Sequence, residues 1–97
     1  MIVAEFSVVP MGTGTSASIY VSAIYDLLRE SGINFLPGPM STALEASSFA
    51  QLFETIELAN RRLAQMGVQR VITTVKIDYR IDKEISIQSK LKESQKI

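Results

Sequence analysis

Two glutamates, one lysine and a set of hydroxyls are the residues of this 97-residue chain best suited to chemistry. Glu5 and Ser7 alternate in "AEFSVV", Thr42 and Glu45 fall in "STALEA", and Thr74 and Lys76 alternate in "ITTVKI". A carboxylate accepts hydrogen bonds and attracts cations, an ammonium only donates, and a hydroxyl does both. Together they suit recognition of a small polar or cationic molecule. They are poorly equipped for covalent work, because the chain has no histidine and no cysteine. Imidazole and thiolate metal ligands, cysteine nucleophiles and imidazole-based triads are thereby excluded. Acid–base work by Glu5, Glu45 and Asp78 stays chemically open, but nothing supplies an evident nucleophile. Carboxylates alone can hold a hard cation, yet no acidic cluster has a spacing that argues for one. The expectation is no metal and no cofactor.

A second candidate is the loop "PMGTGTSAS", Pro10 to Ser18. Glycines and small hydroxyls between a strand and a helix can cradle phosphate, but the phosphate-loop pattern needs a lysine that this loop lacks. Nor does its glycine spacing match a dinucleotide fingerprint. The loop reads instead as a sharp strand-to-helix turn, with Thr13, Thr15 and Ser16 capping amide groups. Anion binding by the helix amides is the alternative.

These residues need elements to hold them. Ile2 to Val9 reads as a strand, with Ile2, Ala4, Phe6 and Val8 on one face and Val3, Glu5, Ser7 and Val9 on the other. A helix follows from an N-cap at Ser16, its apolar stripe running through Ala17, Tyr20, Val21, Ile24, Leu27 and Leu28 until Gly32 stops it. "INFLPGPMSTALEA" makes two short strands around a Pro-Gly-Pro turn, the first an edge because Pro37 lacks an amide hydrogen. A second helix carries Phe49, Leu52, Phe53, Ile56, Leu63 and Met66 on one stripe and stops at Gly67. "QRVITTVKIDYR" is the clearest strand, with Val71, Thr73, Val75 and Ile77 opposite Ile72, Thr74, Lys76 and Asp78. Residues 86–97 form a polar helical tail that docks loosely or on a partner.

The order strand–helix–strand–strand–helix–strand is that of an α+β, ferredoxin-like βαββαβ sandwich: four antiparallel strands, two helices on one face and a short C-terminal helix. Its expected extent is one domain, residues 1–97. Two helices cover only one sheet face. The other mixes Val3, Val9, Ala43 and Ile72 with Glu5, Glu45 and Lys76, a composition ill suited to water. Burial against a second copy, with Glu5 or Glu45 pairing with Lys76, is one reading. A small ligand held by those groups at a subunit junction is the other, and the two are compatible. Asp78, Arg80 and Asp82 in "KIDYRIDKE" make either internal ion pairs at a solvated strand end or the closing side of a pocket. Aromatics such as Tyr20 and Tyr25 follow core spacing.

Composition narrows the partners. Ten basic residues balance ten acidic ones, so no global field attracts nucleic acid or an anionic membrane. No apolar run approaches the roughly 20 residues that span a bilayer, and "MIVAEFSV" meets Glu5 too soon for a signal peptide. The expected location is the cytoplasm.

Three segments, "AEFSVVPMGTGTSAS", "ESGINFLPGPMSTALE" and "MGVQRVITTVKIDYRIDK", cover most of the chain in order. On them the sequence resembles the small thiamine-binding-protein family. The resemblance implies a dimer or tetramer with packed sheet faces, and binding of thiamine or its hydroxymethylpyrimidine part without catalysis. It places ligand contacts at Glu5, Ser7, Thr13, Thr15, Ser16, Met40, Thr42, Glu45, Thr74, Lys76, Asp78 and Arg80. An aminopyrimidine offers donors and acceptors that a glutamate and hydroxyls can address together, and a thiazolium cation favours a carboxylate or an aromatic face. Two positions depart from the family pattern: Ala46 follows the glutamate where glycine is usual, and Asn60 stands where histidine is common. The other readings are a regulatory or structural homo-oligomer with no small-molecule ligand, and, more weakly, an acyl-phosphate hydrolase, a fold-level analogy. The loop has neither the histidine nor the arginine that such a hydrolase would call for.

Overall fold

The computed structural model describes residues 1–94. Its elements are β1 (Ile2–Met11), α1 (Ser18–Ser31), β2 (Asn34–Pro37), β3 (Thr42–Ala46), α2 (Phe49–Gln65), β4 (Arg70–Asp78) and α3 (Ile87–Ser94). The four strands make one sheet in the order β2-β3-β1-β4, every neighbouring pair antiparallel. This is the ferredoxin-like α+β sandwich expected from the sequence, with β2 as one edge. Of the expected tail, residues 95–97 lie outside the described residues.

Strand alternation decides the layers. Ile2, Ala4 and Phe6 of β1 and Leu44 and Ala46 of β3 turn to the helix side. There they meet Ile24, Leu27 and Leu28 of α1 and Leu52, Ala59 and Leu63 of α2, all buried. Val71, Val75 and Ile77 of β4 pack against the same core. Both helices end as their glycines predict: Gly32 caps α1 at φ 74°, and Gly67 follows α2 at φ 91°.

Three local expectations change. The N-cap of α1 is Ala17, without a side-chain cap, so Ser16 stays in the loop. In α2 the inward line is Leu52, Thr55, Ala59 and Leu63, while Phe49, Phe53 and Met66 are exposed. Helical rotation puts Phe49 and Phe53 on the flank of that line, where they stack at 5.9 Å and Tyr79 joins edge-on at 5.1 Å from Phe49. Asn60 is on the same flank and bridges to β4, donating to the Thr73 hydroxyl at 3.0 Å.

The third change concerns the tail. It docks on its own chain, under the half of the sheet that the other helices leave bare. Ile85 and Ile87 bury themselves against Val3, with Ala43 packed alongside. An apolar pair at the start of a polar helix is too weak a period to place the helix from the sequence. Once Val3 is known to face the open side, the contact follows from its need for cover.

Candidate functional site

Two clefts flank the sheet, and a difference in strand length makes the first. Along β1, pairing with β3 stops at Phe6↔Thr42, whereas pairing with β4 continues to Met11↔Arg70. Residues 7–10 of β1 therefore have one edge without a strand neighbour. Pro10 has no N–H to give to a ladder, so it suits that free edge; strand alternation then turns the N–H and C=O of Val8 toward the same side.

Helix α1 and the β2–β3 turn wall this edge into a cleft of about 280 Å³. Tyr25 and Val21 line the helix side, Met40, Ser41 and Thr42 the turn side, and Phe6 and Ser7 the floor. Tyr25 is itself held by stacking on Phe35 at 6.0 Å. Neither Ser7 nor Thr42 has a side-chain hydrogen-bond partner among the described residues. The Ser41 hydroxyl donates to Glu5 Oε2 at 3.0 Å, bringing a carboxylate to the turn. A backbone donor–acceptor pair and a flat aromatic wall can address the edge and face of a planar heterocycle, and the nearby carboxylate favours a cationic group.

The turn has little slack. Gly38 N–H bonds Ser41 O at 2.8 Å, and a β-carbon on Gly38 would meet that oxygen at 2.6 Å. Gly38→Ala is expected to displace the 38–42 wall while the core stays intact. Near-unchanged thermal unfolding with altered fluorescence of Tyr25 and changed amide shifts at residues 39–42 would check this; an unchanged turn spectrum would oppose it.

The second cleft, about 440 Å³, lies on the opposite face beside α3. Glu5, Lys76, Asp78 and Lys90 line it with Val3 and Ala43. Glu5 and Lys76 are directly opposite in the β1–β4 register, and Asp78 forms an ion pair with Lys90.

The expected site residues thus divide. Ser7, Met40 and Thr42 line the first cleft, and Glu5, Lys76 and Asp78 the second. Thr74 is exposed on the open face opposite Ser7. Thr13, Thr15 and Ser16 stand in the loop before α1 and line neither cleft. Gly12 and Gly14 there have φ of 79° and 86°, which fits a sharp turn. Glu45 lines neither cleft: its Oε1 accepts from Ile87 N–H at 2.9 Å and its Oε2 from Asn34 Nδ2 at 3.0 Å. It fastens α3 to the sheet. Arg80 is turned to Asp82 in an exposed forked pair, its Nε 2.9 Å from Oδ1. That hydrogen bond holds the Asp82 carboxyl below its ordinary range and raises Arg80 above its own.

Sequence reasoning missed Tyr25, Ser41 and Lys90. Tyr25 has core spacing, and only the late start of β3 turns it into a wall. Ser41 stands one residue before an expected contact, and Lys90 required α3 to be placed. No group of three or more acidic side chains is arranged to hold a metal among the described residues. No helix among them is long and apolar enough to cross a membrane.

An antiparallel ferredoxin-like sandwich with one half-bare sheet face and two side-chain-lined clefts defines the class, a small α+β domain built around open surfaces. Within that class the chain belongs to the thiamine-binding protein family, whose model matches residues 4–95. It is 38% identical over 92 residues to the UPF0045 protein of Methanothermobacter thermautotrophicus, covering 94% of this chain and 93% of that one. The solved structure of the hypothetical protein MJ1052 from Methanocaldococcus jannaschii superposes with a TM-score of 0.86 at 32% identity, over 99% of this chain and 97% of that one. A candidate thiamine biosynthesis/salvage protein of Thermotoga maritima shares the fold, with a TM-score of 0.82 at 20% identity, over 96% of this chain and 97% of that one.

Proposed function

We propose that this protein binds thiamine or a related hydroxymethylpyrimidine compound in the cleft between β1, α1 and the β2–β3 turn, and does so without catalysis. The observation that carries the reading is the free edge of β1 at residues 7–10, walled by Tyr25 and by Met40–Thr42. An aminopyrimidine placed there pairs with strand backbone, lies against the ring of Tyr25 and leaves the thiazolium toward Met40 and the Glu5–Ser41 pair. Family membership supports the ligand class. The cleft's polar groups are backbone, hydroxyls and the Glu5 carboxylate held by Ser41, and no imidazole or thiolate stands among them, which supports binding without covalent catalysis.

Titration calorimetry with thiamine and with hydroxymethylpyrimidine tests it. Saturable heat with both compounds is expected, reduced at least roughly tenfold in affinity, about 1.4 kcal/mol, by Thr42→Val. Absence of heat with either compound at millimolar concentration sinks the proposal. The loop residues Thr13, Thr15 and Ser16 serve the same site only if their alanine variants also weaken binding.

A second reading has its own observation. Val9, Met11 and Ile72 are exposed together at the end of the open face that α3 leaves bare. Covering them with the same face of a second copy yields a homo-oligomer of regulatory or structural use, with or without a ligand. Such an assembly places the two charged clefts near the junction.

A further inference from the structure

The cleft beside α3 holds an acid and a base that face each other without meeting. Glu5 of β1 and Lys76 of β4 are directly opposite in the strand register, a placement that ordinarily makes a cross-strand ion pair. Here Glu5 is turned toward the β3 side, where its Oε2 accepts the Ser41 hydroxyl at 3.0 Å. The Lys76 ammonium has no hydrogen-bond or ion-pair partner among the described residues. The split pair leaves a slot in a cleft of about 440 Å³.

Two more charges continue the alternation of sign. Asp78 stands two residues along β4 from Lys76, so both share one face, and Asp78 is paired with Lys90 of α3. Glu5 and Asp78 are diagonal neighbours across the β1–β4 ladder, about 7–8 Å apart at that spacing. Each keeps one carboxylate oxygen that no side chain of the described residues takes. Val3 and Ala43 supply an apolar floor, and Ile85 and Ile87 pack against Val3.

This pattern selects a ligand by charge. Two carboxylates and two ammoniums sum to zero. An anion brought to Lys76 also approaches Glu5 and Asp78, and a cation brought to those carboxylates also approaches Lys76 and Lys90. Each attraction is then offset by a like-charge repulsion. A neutral molecule carrying both charges close together meets the split pair without that repulsion. Its ammonium reaches the free oxygens of Glu5 and Asp78, and its carboxylate reaches Lys76, in charge-assisted hydrogen bonds. A short apolar side chain then lies on Val3 and Ala43. A few convergent polar groups over an apolar floor are the usual anatomy of a small-molecule site.

We propose that the cleft beside α3 is a second small-molecule site, which binds a small zwitterion of the α-amino-acid type, with an apolar side chain, between Glu5 and Lys76. It is separate from the cleft at the free edge of β1, and it does not rest on what that cleft binds. Glu5 serves both through different oxygens: Oε2 holds Ser41 of the first cleft's turn, and the other is left for the second. Lys90 makes α3 one wall of the site, so binding should also steady residues 87–94.

The test is an amide NMR titration of the full chain with L-alanine, N-acetylalanine and alanine methyl ester. Saturable shifts with L-alanine are expected at Val3, Ala43, Lys76 and residues 87–94, with a dissociation constant at or below the millimolar range. N-acetylalanine lacks the ammonium and the methyl ester lacks the carboxylate, so each is expected to bind at least roughly tenfold more weakly. Lys76→Met keeps the aliphatic stem and removes a charge that has no partner in its own chain. Its circular dichroism should match the parent, while affinity for L-alanine falls at least roughly tenfold. Glu5→Gln, which keeps an acceptor for Ser41, is expected to weaken binding as much. No saturation at tens of millimolar L-alanine overturns the proposal, as does unchanged affinity in both variants. So does equal binding of N-acetylalanine, which would make Lys76 a simple anion site. Shifts confined to residues 7–10 and 38–42 would place the ligand in the first cleft and overturn it too. None of these results requires thiamine to bind, so failure of the first cleft's ligand is read separately.

Discussion

Glu45→Ala is expected to release α3 from the sheet and to lower stability by about 2 kcal/mol. The carboxylate joins three elements: it sits in β3, accepts from the first amide of α3 at Ile87, and accepts from Asn34 in β2. A hydrogen bond to a charged acceptor contributes about 1.5–3 kcal/mol, and its loss leaves a half-buried N–H without a partner. A first-turn amide of a short helix has few substitutes, because the helix supplies none for it. In a chain of this size each kcal/mol moves the melting temperature by about 4–8 °C. Hydrogen exchange is the decisive readout: amides 87–94 should lose protection while those of β1 and β3 keep theirs. Equal protection in parent and variant would show that Ile85 and Ile87 alone hold the helix against Val3. Thiamine titration of the same variant separates this structural duty from direct ligand contact. Loss of binding with retained α3 protection would place Glu45 in the ligand site after all.

Phe6→Ala is expected to have the largest effect of any single change, about 3–5 kcal/mol. Phe6 is 2% exposed and stands at the last rung where β3, β1 and β4 are paired side by side, opposite Thr42 and Val75. Removing the ring opens a cavity under α1 and α2 that a three-strand rung cannot collapse to fill. Against a total stability on the order of 5–15 kcal/mol for a domain, that loss consumes a large share of the margin. The urea midpoint should fall with little change in slope. Phe6 also floors the cleft at the free edge of β1, so ligand affinity should fall with it. A cost below about 1 kcal/mol would mean that neighbouring side chains repack into the space, contrary to the rigidity of a close-packed core.

These two residues also show the division between what is legible in a sequence and what is not. Phe6 belongs to the core face by alternation alone, with Ile2 and Ala4, because a strand has only two sides. The same arithmetic places Glu5 and Lys76 on the open face, and the structure sets them directly opposite. Glycine at Gly32 and Gly67 marks both helix ends, and Pro37 marks an edge strand, since each acts through its own backbone. Glu45 is equally visible as an open-face carboxylate, but its partners are not. They come from residues 11 and 42 positions away, and no local period encodes such a meeting.

Element order, the two faces of every strand, the helix stops and the absence of histidine and cysteine chemistry all follow from local sterics and composition, and so could be read along the chain. Long-range packing was needed to learn that β3 leaves β1 beyond Phe6 and bares its edge, that α3 folds back onto Val3, and that Phe49 and Phe53 face outward beside β4. Each of those depends on where a distant segment comes to rest, and on burial that a second element must supply. The clefts exist because of such meetings, so they became visible only when the chain was folded.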